Sequence, residues 1–204
     1  MFNNIYGGQI IMKGRVITLL LSIAILLNYT NTIRADDFTF RKTKWGMSKS
    51  DVKNSEPLKL LQEDDNLLGY KTNVLDKDVF LGYVFVDNQL VRTRYVLAES
   101  HSNDNDYIND YLDFKVTLTK KYGNPVDDQT IWKNDLYKSD NSGWGTAISI
   151  GHLVFYSTWI SSSTEIINTL TGDNYDITCA VEYKSTNLKE IEKKAKERQA
   201  LDDF

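Results

Sequence analysis

Residues 79–98 constrain the fold of this chain more than any other stretch. Two runs rich in β-branched and aromatic residues, 79–86 and 90–97, flank the polar segment 87–89. Such residues favour a pleated, half-buried surface, and the Asp and Asn between them tolerate the left-handed backbone of a tight turn. The pattern predicts an antiparallel β-hairpin and therefore a fold that contains an antiparallel sheet.

The register of this hairpin has two solutions. A two-residue turn places Val84 opposite Val91. A three-residue turn gives a different set of pairs: Phe85 with Val91, Tyr83 with Thr93, and Leu81 with Tyr95. A slip of one residue would exchange the two faces of the strand. We favour the second face assignment, in which Arg92 and Arg94 point to water.

Residues 1–35 are organised like a secretory signal peptide. Two basic residues precede an apolar run over 16–27, and a polar stretch leads to Ala35 before an acidic pair. The apolar run is shorter than the ~20 residues that a spanning helix needs. We therefore expect cleavage after Ala35, export, and a soluble product without a stable membrane span. An uncleaved anchor is the alternative, and Met12 is the expected start of translation.

The charge balance argues against nucleic-acid binding. Three of the 24 basic residues and none of the 28 acidic residues lie within 1–35, so the net charge falls from −4 to −7 once that segment is removed. Binding to nucleic acid depends on neutralising phosphates with basic side chains. Cys179 is the single cysteine, which excludes an intramolecular disulfide, and its apolar neighbours favour a buried thiol.

The clearest helix is predicted over residues 107–122. Its apolar residues follow the 3.6-residue period of a helix: Tyr107, Tyr111, Phe114, Leu118 and Tyr122. Two lysines precede Gly123, and Pro125 follows it. Cations suit the negative end of a helix, and glycine adopts the left-handed cap. The sequence therefore also fixes where this helix ends.

The other elements follow from shorter patterns. Ser48 with Asp51 resembles a capping box at the start of a brief helix, and Ser162 with Glu165 is a capping box that predicts a helix closed by Gly172. The predicted strands are 66–75, 130–137, 144–150, 153–160 and 175–183, and the last helix is predicted over 187–201. Residues 58–62 are compatible with an edge strand or with a further helical turn.

Together these elements predict an α+β fold, an antiparallel sheet with helices packed on one face. After removal of 1–35, residues 36–204 form a single domain with two halves, 45–98 and 104–160, each a helix followed by antiparallel strands, and a C-terminal helix over 187–201.

The two halves carry a resemblance. The helix start at residues 46–48 and the string 122–125, followed by a strand with Trp132, resemble the helix–Gly-x-Pro–hairpin module of the small lipoprotein of the outer-membrane β-barrel assembly machinery, and the related repeat of β-lactamase inhibitor proteins. The whole chain also looks like one of the exported bacterial families. The resemblance implies a non-enzymatic periplasmic module that binds other proteins. The lipid-attachment cysteine of the lipoprotein is missing here, and this chain is longer.

No catalytic motif accompanies the two histidines. His101 lies in a polar segment and His152 at a predicted turn, without a Gly-x-Ser-x-Gly elbow or a His-Glu-x-x-His helix. A hydrolase centred on His152 is therefore the least favoured function. Residues 104–110 resemble a calcium loop only superficially, because Ile108 stands where an oxygen ligand belongs. We expect no metal, no cofactor and no enzymatic activity.

Tyr137 and Trp144 bracket a polar loop, and they are the candidate binding residues. Each combines an apolar ring with a polar tip, which suits contact with a sugar or a peptide; closure of the loop against the sheet is the structural alternative. The sequence thus predicts an exported, non-catalytic module that binds a protein of the cell envelope, with a cell-wall or carbohydrate binder that uses Tyr137 and Trp144 as the alternative.

Overall fold

A computed structural model describes residues 40–202 of the chain. The predicted signal peptide, its cleavage site and the start at Met12 lie outside the described residues. The described helices are α1 (Lys49–Ser55), α2 (Asp106–Tyr122), α3 (Trp144–Ser149) and α4 (Lys189–Asp202), and a short 3-10 helix covers Asn141–Gly143. The described strands are β1 (Leu60–Asp64), β2 (Leu67–Val74), β3 (Lys77–Val86), β4 (Gln89–Leu97), β5 (Asp127–Trp132), β6 (Leu153–Ser161), β7 (Thr164–Asp173) and β8 (Asp176–Ser185).

These eight strands form one antiparallel sheet, which confirms the predicted α+β class. The order across the sheet is β1-β2-β3-β4-β8-β7-β6-β5. The first half consists of α1 followed by four strands, whereas in the second half α3 lies between β5 and β6. The last strands of the two halves, β4 and β8, pair at the centre. The second group of strands continues past residue 160 as far as Ser185.

The hairpin of β3 and β4 combines both registers that the sequence allowed. Asp87 and Asn88 have positive φ values of 49° and 57° and form a two-residue turn, which pairs Phe85 with Leu90. A bulge at Val91 then shifts the pairing. Beyond the bulge the pairs are those of the favoured register: Tyr83 with Thr93 and Leu81 with Tyr95. Arg92 and Arg94 therefore lie on the face opposite the core, as the favoured register predicted, but they are partly buried there rather than directed to water.

The core lies between one face of the sheet and the helices α1, α2 and α3. In α1, Val52 is buried, and Ser48 caps the helix by accepting a hydrogen bond from the Asp51 amide at 3.2 Å. In α2, the hydroxyl of the buried Tyr111 forms a hydrogen bond of 2.6 Å with the hydroxyl of Ser157 on β6. Gly123 ends α2 at a φ of 85°, as its sequence predicted.

A buried carboxylate fixes the end of α1 to the sheet. Glu56 has a side chain that is only 2% exposed. It accepts two hydrogen bonds from the Arg41 guanidinium, from Nε at 2.9 Å and from Nη2 at 3.0 Å, and one from the Tyr83 hydroxyl at 2.6 Å. Because all three donors converge on one charge, the burial of Glu56 is compensated.

The strand predicted over 144–150 is wrong, since these residues form α3. The Asn105 side chain accepts a 2.6 Å hydrogen bond from the Gly145 amide. A Cβ at Gly145 would lie 2.4 Å from the backbone at Asp104 and Asn105. This close approach places the first turn of α3 beside the start of α2, and residues distant in sequence therefore decide the local structure.

The helix predicted over 162–172 is also wrong, because this segment forms β7. Ser162 has a φ of 49° and belongs to the turn between β6 and β7 rather than to a helix cap. Ile166 and Leu170 are buried, and they pair with Trp159 and Phe155 of β6. Buried and partly buried side chains alternate along β7, as expected of a strand with one face in the core. Pairing with a strand on each side stabilises β7 more than the capping pattern stabilises a helix.

Helix α4 contacts side chains on the other face of the sheet, so the prediction that the helices pack on one face holds for α1, α2 and α3 but not for α4. Glu192 accepts a hydrogen bond from Arg92 of β4, Lys189 lies 3.4 Å from Glu165 of β7, and Arg198 lies 2.9 Å from Asp87. The rise from residue 189 to 198 is about 13.5 Å, which matches three inter-strand spacings of about 14 Å. The contacts of the helix therefore run across the strands, from β7 to the turn between β3 and β4.

Candidate functional site

We call the side of the sheet opposite α1, α2 and α3 the open face. Alternation along the strands places Phe80, Gly82 and Arg94 on it, since Leu81 and Tyr95 point into the core. Helix α4 covers the row of Arg92, Lys184 and Glu165, whereas the next rows of side chains along the strands lie beyond it. This uncovered part of the open face contains the main candidate site.

Two glycines face each other in the middle of this surface. Gly69 of β2 pairs with Gly82 of β3, and their neighbours on either side are Gln62 of β1 and Arg94 of β4. Around them lies a hollow of about 280 Å³, which we call the trough. The residues that line the trough are Leu61, Gln62, Leu67, Gly69, Tyr70, Phe80, Leu81, Gly82, Arg94 and Val96. Tyr70 and Leu81 have buried side chains, so they contribute backbone to its floor.

The fold does not need a glycine at position 82. Its φ lies outside the left-handed region, and a Cβ built there would meet Arg94 Cγ at 3.5 Å and Leu67 Cδ1 at 3.8 Å, which are ordinary van der Waals contacts. A glycine inside a strand weakens it and commonly marks a place where another group approaches the backbone. The exposed backbone at Gly82 is therefore a feature of the surface rather than of the packing.

Arg94 is the one charged side chain that lines the trough. Its Nε atom is buried and has no hydrogen-bond partner within residues 40–202. Glu182 of β8 stands opposite Arg94, but its carboxylate lies 3.0 Å from Lys184 and 3.9 Å from Arg92. The guanidinium of Arg94 forms no ion pair in the described part of the chain, and an unpaired buried donor costs free energy.

Apolar side chains form the rim of the trough. Phe80 is 51% exposed and Leu61 is 56% exposed, whereas Leu67 and Val96 are partly buried. A large aromatic ring left half exposed beside bare backbone is typical of a contact surface. The trough therefore offers a flat apolar floor, an aromatic rim and one unpaired cation.

The structure places the predicted binding residues Tyr137 and Trp144 beside the 3-10 helix, away from the trough. The Tyr137 ring covers Gly143, where a Cβ would lie 2.6 Å from it. The ring of Trp144 packs against Trp132 at 5.7 Å between centroids and against Phe155 at 6.2 Å. Both rings are partly buried. Contact of these two residues with a glycan stays a prediction.

The two histidines lie apart in different surroundings. His152 follows α3, and its partly buried ring has an Nδ1 atom without a hydrogen-bond partner among the described residues. His101 Nε2 lies 2.5 Å from the Asp110 carboxylate, which Lys77 also contacts at 2.8 Å. The hydrogen bond that Lys77 donates to Asp110, ahead of the opposing effect of burial, raises the pKa of Lys77. This cluster ties α2 to the turn between β2 and β3.

Cys179 is buried on β8, as predicted. Burial raises the pKa of its thiol to about 12, so the reactive thiolate is scarce at neutral pH. Across residues 40–202, no three or more His, Cys, Asp or Glu side chains are grouped in a way that suits a metal ion. Nor does any described helix combine the length and the apolar character needed to cross a membrane.

Sequence reasoning placed Gly82 and Arg94 on the hairpin but did not identify the trough. The available signal was an isolated glycine within each of two strand patterns, at positions 69 and 82. No family model matches this chain. The searches of curated proteins and of solved structures find no match either.

Proposed function

We propose that this protein is an exported, non-catalytic module that binds another protein of the cell envelope through the open face of its sheet. The observation that supports it best is the trough, where Gly82 leaves backbone without a side chain beside the half-exposed ring of Phe80. The signal-peptide pattern of residues 1–35 supports export. The resemblance to envelope modules points in the same direction.

The dimensions of the site suit a protein partner better than a small-molecule ligand. A volume of about 280 Å³ falls at or below the range of pockets that enclose a small molecule, roughly 300–1,000 Å³. The trough is also open, and it continues into the apolar rim formed by Leu61 and Phe80. A hollow of this kind receives one or two side chains from a larger surface, which then contacts the rim.

Affinity capture from the envelope fraction of the source cells tests the proposal. The wild-type protein should retain one partner in stoichiometric amount, because the aromatic rim is buried on binding. Phe80→Ser should reduce retention at least tenfold. Val116→Ser is the matched control, since Val116 is also 51% exposed but lies on α2, across the sheet from the open face. Equal retention by the two variants, or repeated failure of folded wild-type protein to retain any partner, would contradict the proposal.

A further inference from the structure

We infer that Arg94 and the trough recognise an acidic residue of the partner that stands next to a flat, apolar side chain. This inference rests on the proposed function and specifies the chemistry of the partner. Three features of the open face support it: the unpaired guanidinium, the floor of the trough and the charges around them.

The first observation is the state of the guanidinium. Nε of Arg94 is removed from solvent without a partner among the residues that the structure describes. A carboxylate is the complementary group, because its two oxygens match two N–H groups of a guanidinium in one plane. Because the buried Nε lies out of a partner's reach, such a carboxylate would pair with the terminal Nη groups of Arg94, which form no ion pair among the described residues, and the acidic side chain would be held in a fixed orientation.

The second observation is the shape of the floor beside Arg94. Gly69 and Gly82 contribute no side chain, and the backbone groups of the two strands already pair in the sheet. The Gln62 side chain approaches Gly69, where a Cβ would lie 3.1 Å from Gln62 Cβ, so the floor is clear mainly at Gly82. Such a floor offers van der Waals contact rather than further hydrogen bonds. A flat ring or a broad aliphatic side chain makes the largest contact with it, and the Phe80 ring borders the same space.

The third observation is the distribution of charge. The nearest cations on the open face are engaged, since Lys71 lies 2.7 Å from Asp78 and Arg92 is hydrogen-bonded to Glu192. Of these three cations of the open face, Arg94 alone has no ion pair within residues 40–202, which suits a single carboxylate and disfavours a polyanion. The trough therefore selects one acidic side chain together with its apolar neighbour.

Selection from a phage-displayed library of random peptides tests this inference with the whole protein. Peptides enriched on wild type should carry Asp or Glu next to an aromatic or large aliphatic residue. Their affinity should fall about tenfold to a hundredfold in Arg94→Gln, as expected for loss of a charge-assisted pair. Lys71→Gln is the matched control, because Lys71 is a cation of the same face outside the trough, and it should leave the affinity unchanged.

A second variant separates the pocket from the charge. Gly82→Val keeps Arg94 but fills the floor, so it should also weaken the selected peptides. Circular dichroism and thermal unfolding establish that both variants are folded. Failure to enrich acidic peptides, or equal binding to wild type and Arg94→Gln, would overturn the inference. If Phe80→Ser abolishes capture of the partner while Arg94→Gln does not, the proposed function stands and only the inference falls; if neither variant affects capture, both fall.

Discussion

Replacing Gly82 with alanine should make the protein more stable and at the same time weaken its binding. Gly82 occupies the middle of β3, where its missing side chain leaves the floor of the trough bare. A Cβ at this position would make ordinary contacts at 3.5 and 3.8 Å and needs no backbone change. The alanine methyl therefore fits the fold and occupies only the space that a partner would use.

The size of the stability effect follows from the strand position. Glycine in a strand interior costs roughly 0.5–1 kcal/mol relative to alanine, chiefly through the entropy of the unfolded chain. For a domain of this size, 1 kcal/mol corresponds to about 2–4 °C in Tm. Gly82→Ala should therefore raise Tm by about 1–4 °C. The same methyl should weaken partner binding by about 1 kcal/mol or more, or at least about fivefold.

Thermal unfolding by circular dichroism, together with the affinity of a peptide selected on wild type, measures both effects. Gly172→Ala is the opposite control, because its Cβ would lie 2.4 Å from the Ile148 carbonyl oxygen of α3. This clash should lower the free energy of unfolding by about 1–3 kcal/mol. A lower Tm for Gly82→Ala would show that the glycine serves the fold. A higher Tm with unchanged binding would show that the trough is not a contact surface.

Three further predictions concern stability and reactivity. Glu56→Gln should lower the free energy of unfolding, measured in urea, by about 2–4 kcal/mol, because Arg41 and Tyr83 would then donate to a neutral amide instead of a buried carboxylate. An unchanged urea midpoint would contradict this. Cys179 should react with a thiol reagent only as fast as the protein unfolds, since burial raises its pKa to about 12; rapid labelling under native conditions would refute it. Burial alone would raise the pKa of Asp128, but the hydrogen bond from Lys115 keeps it below its ordinary value. Its stabilising effect is therefore full above the pKa of the unfolded chain and is lost as pH falls through the lower native pKa, so Asp128→Asn should flatten the loss of stability on acidification from about pH 5 to about pH 3. Parallel curves for variant and wild type would rule that out.

Local patterns predicted those parts of the fold that local interactions determine. The helix over 107–122 has a strong apolar period and a glycine stop, and the structure reproduces both ends within one residue. The hairpin was predicted for the same reason. The bulge at Val91 was not predicted. The two-residue turn sets the register next to it, the favoured face assignment sets the register further along the strands, and these two registers differ by one residue.

The errors arose where distant parts of the chain determine the structure. Residues 144–149 form a helix because they pack against the start of α2. Segment β7 is a strand because it pairs with β6 and β8, and its own sequence does not indicate this pairing. The candidate site has the same origin. That Gly69 faces Gly82 follows from strand pairing, and that Arg94 lacks a carboxylate depends on how Glu182, far along the chain, is already engaged.

The central position of β8 has a consequence for how the polypeptide folds as it is synthesised. Strand β4 is complete at Leu97, but the partner on its inner side begins only at Asp176. During synthesis the first half therefore emerges with an open hydrogen-bonding edge that no nearby segment pairs with, and such an edge promotes aggregation. A factor that keeps the nascent chain extended until residue 185 has emerged would protect that edge. Correct folding of this protein should therefore depend on such a factor staying bound until β8 is complete.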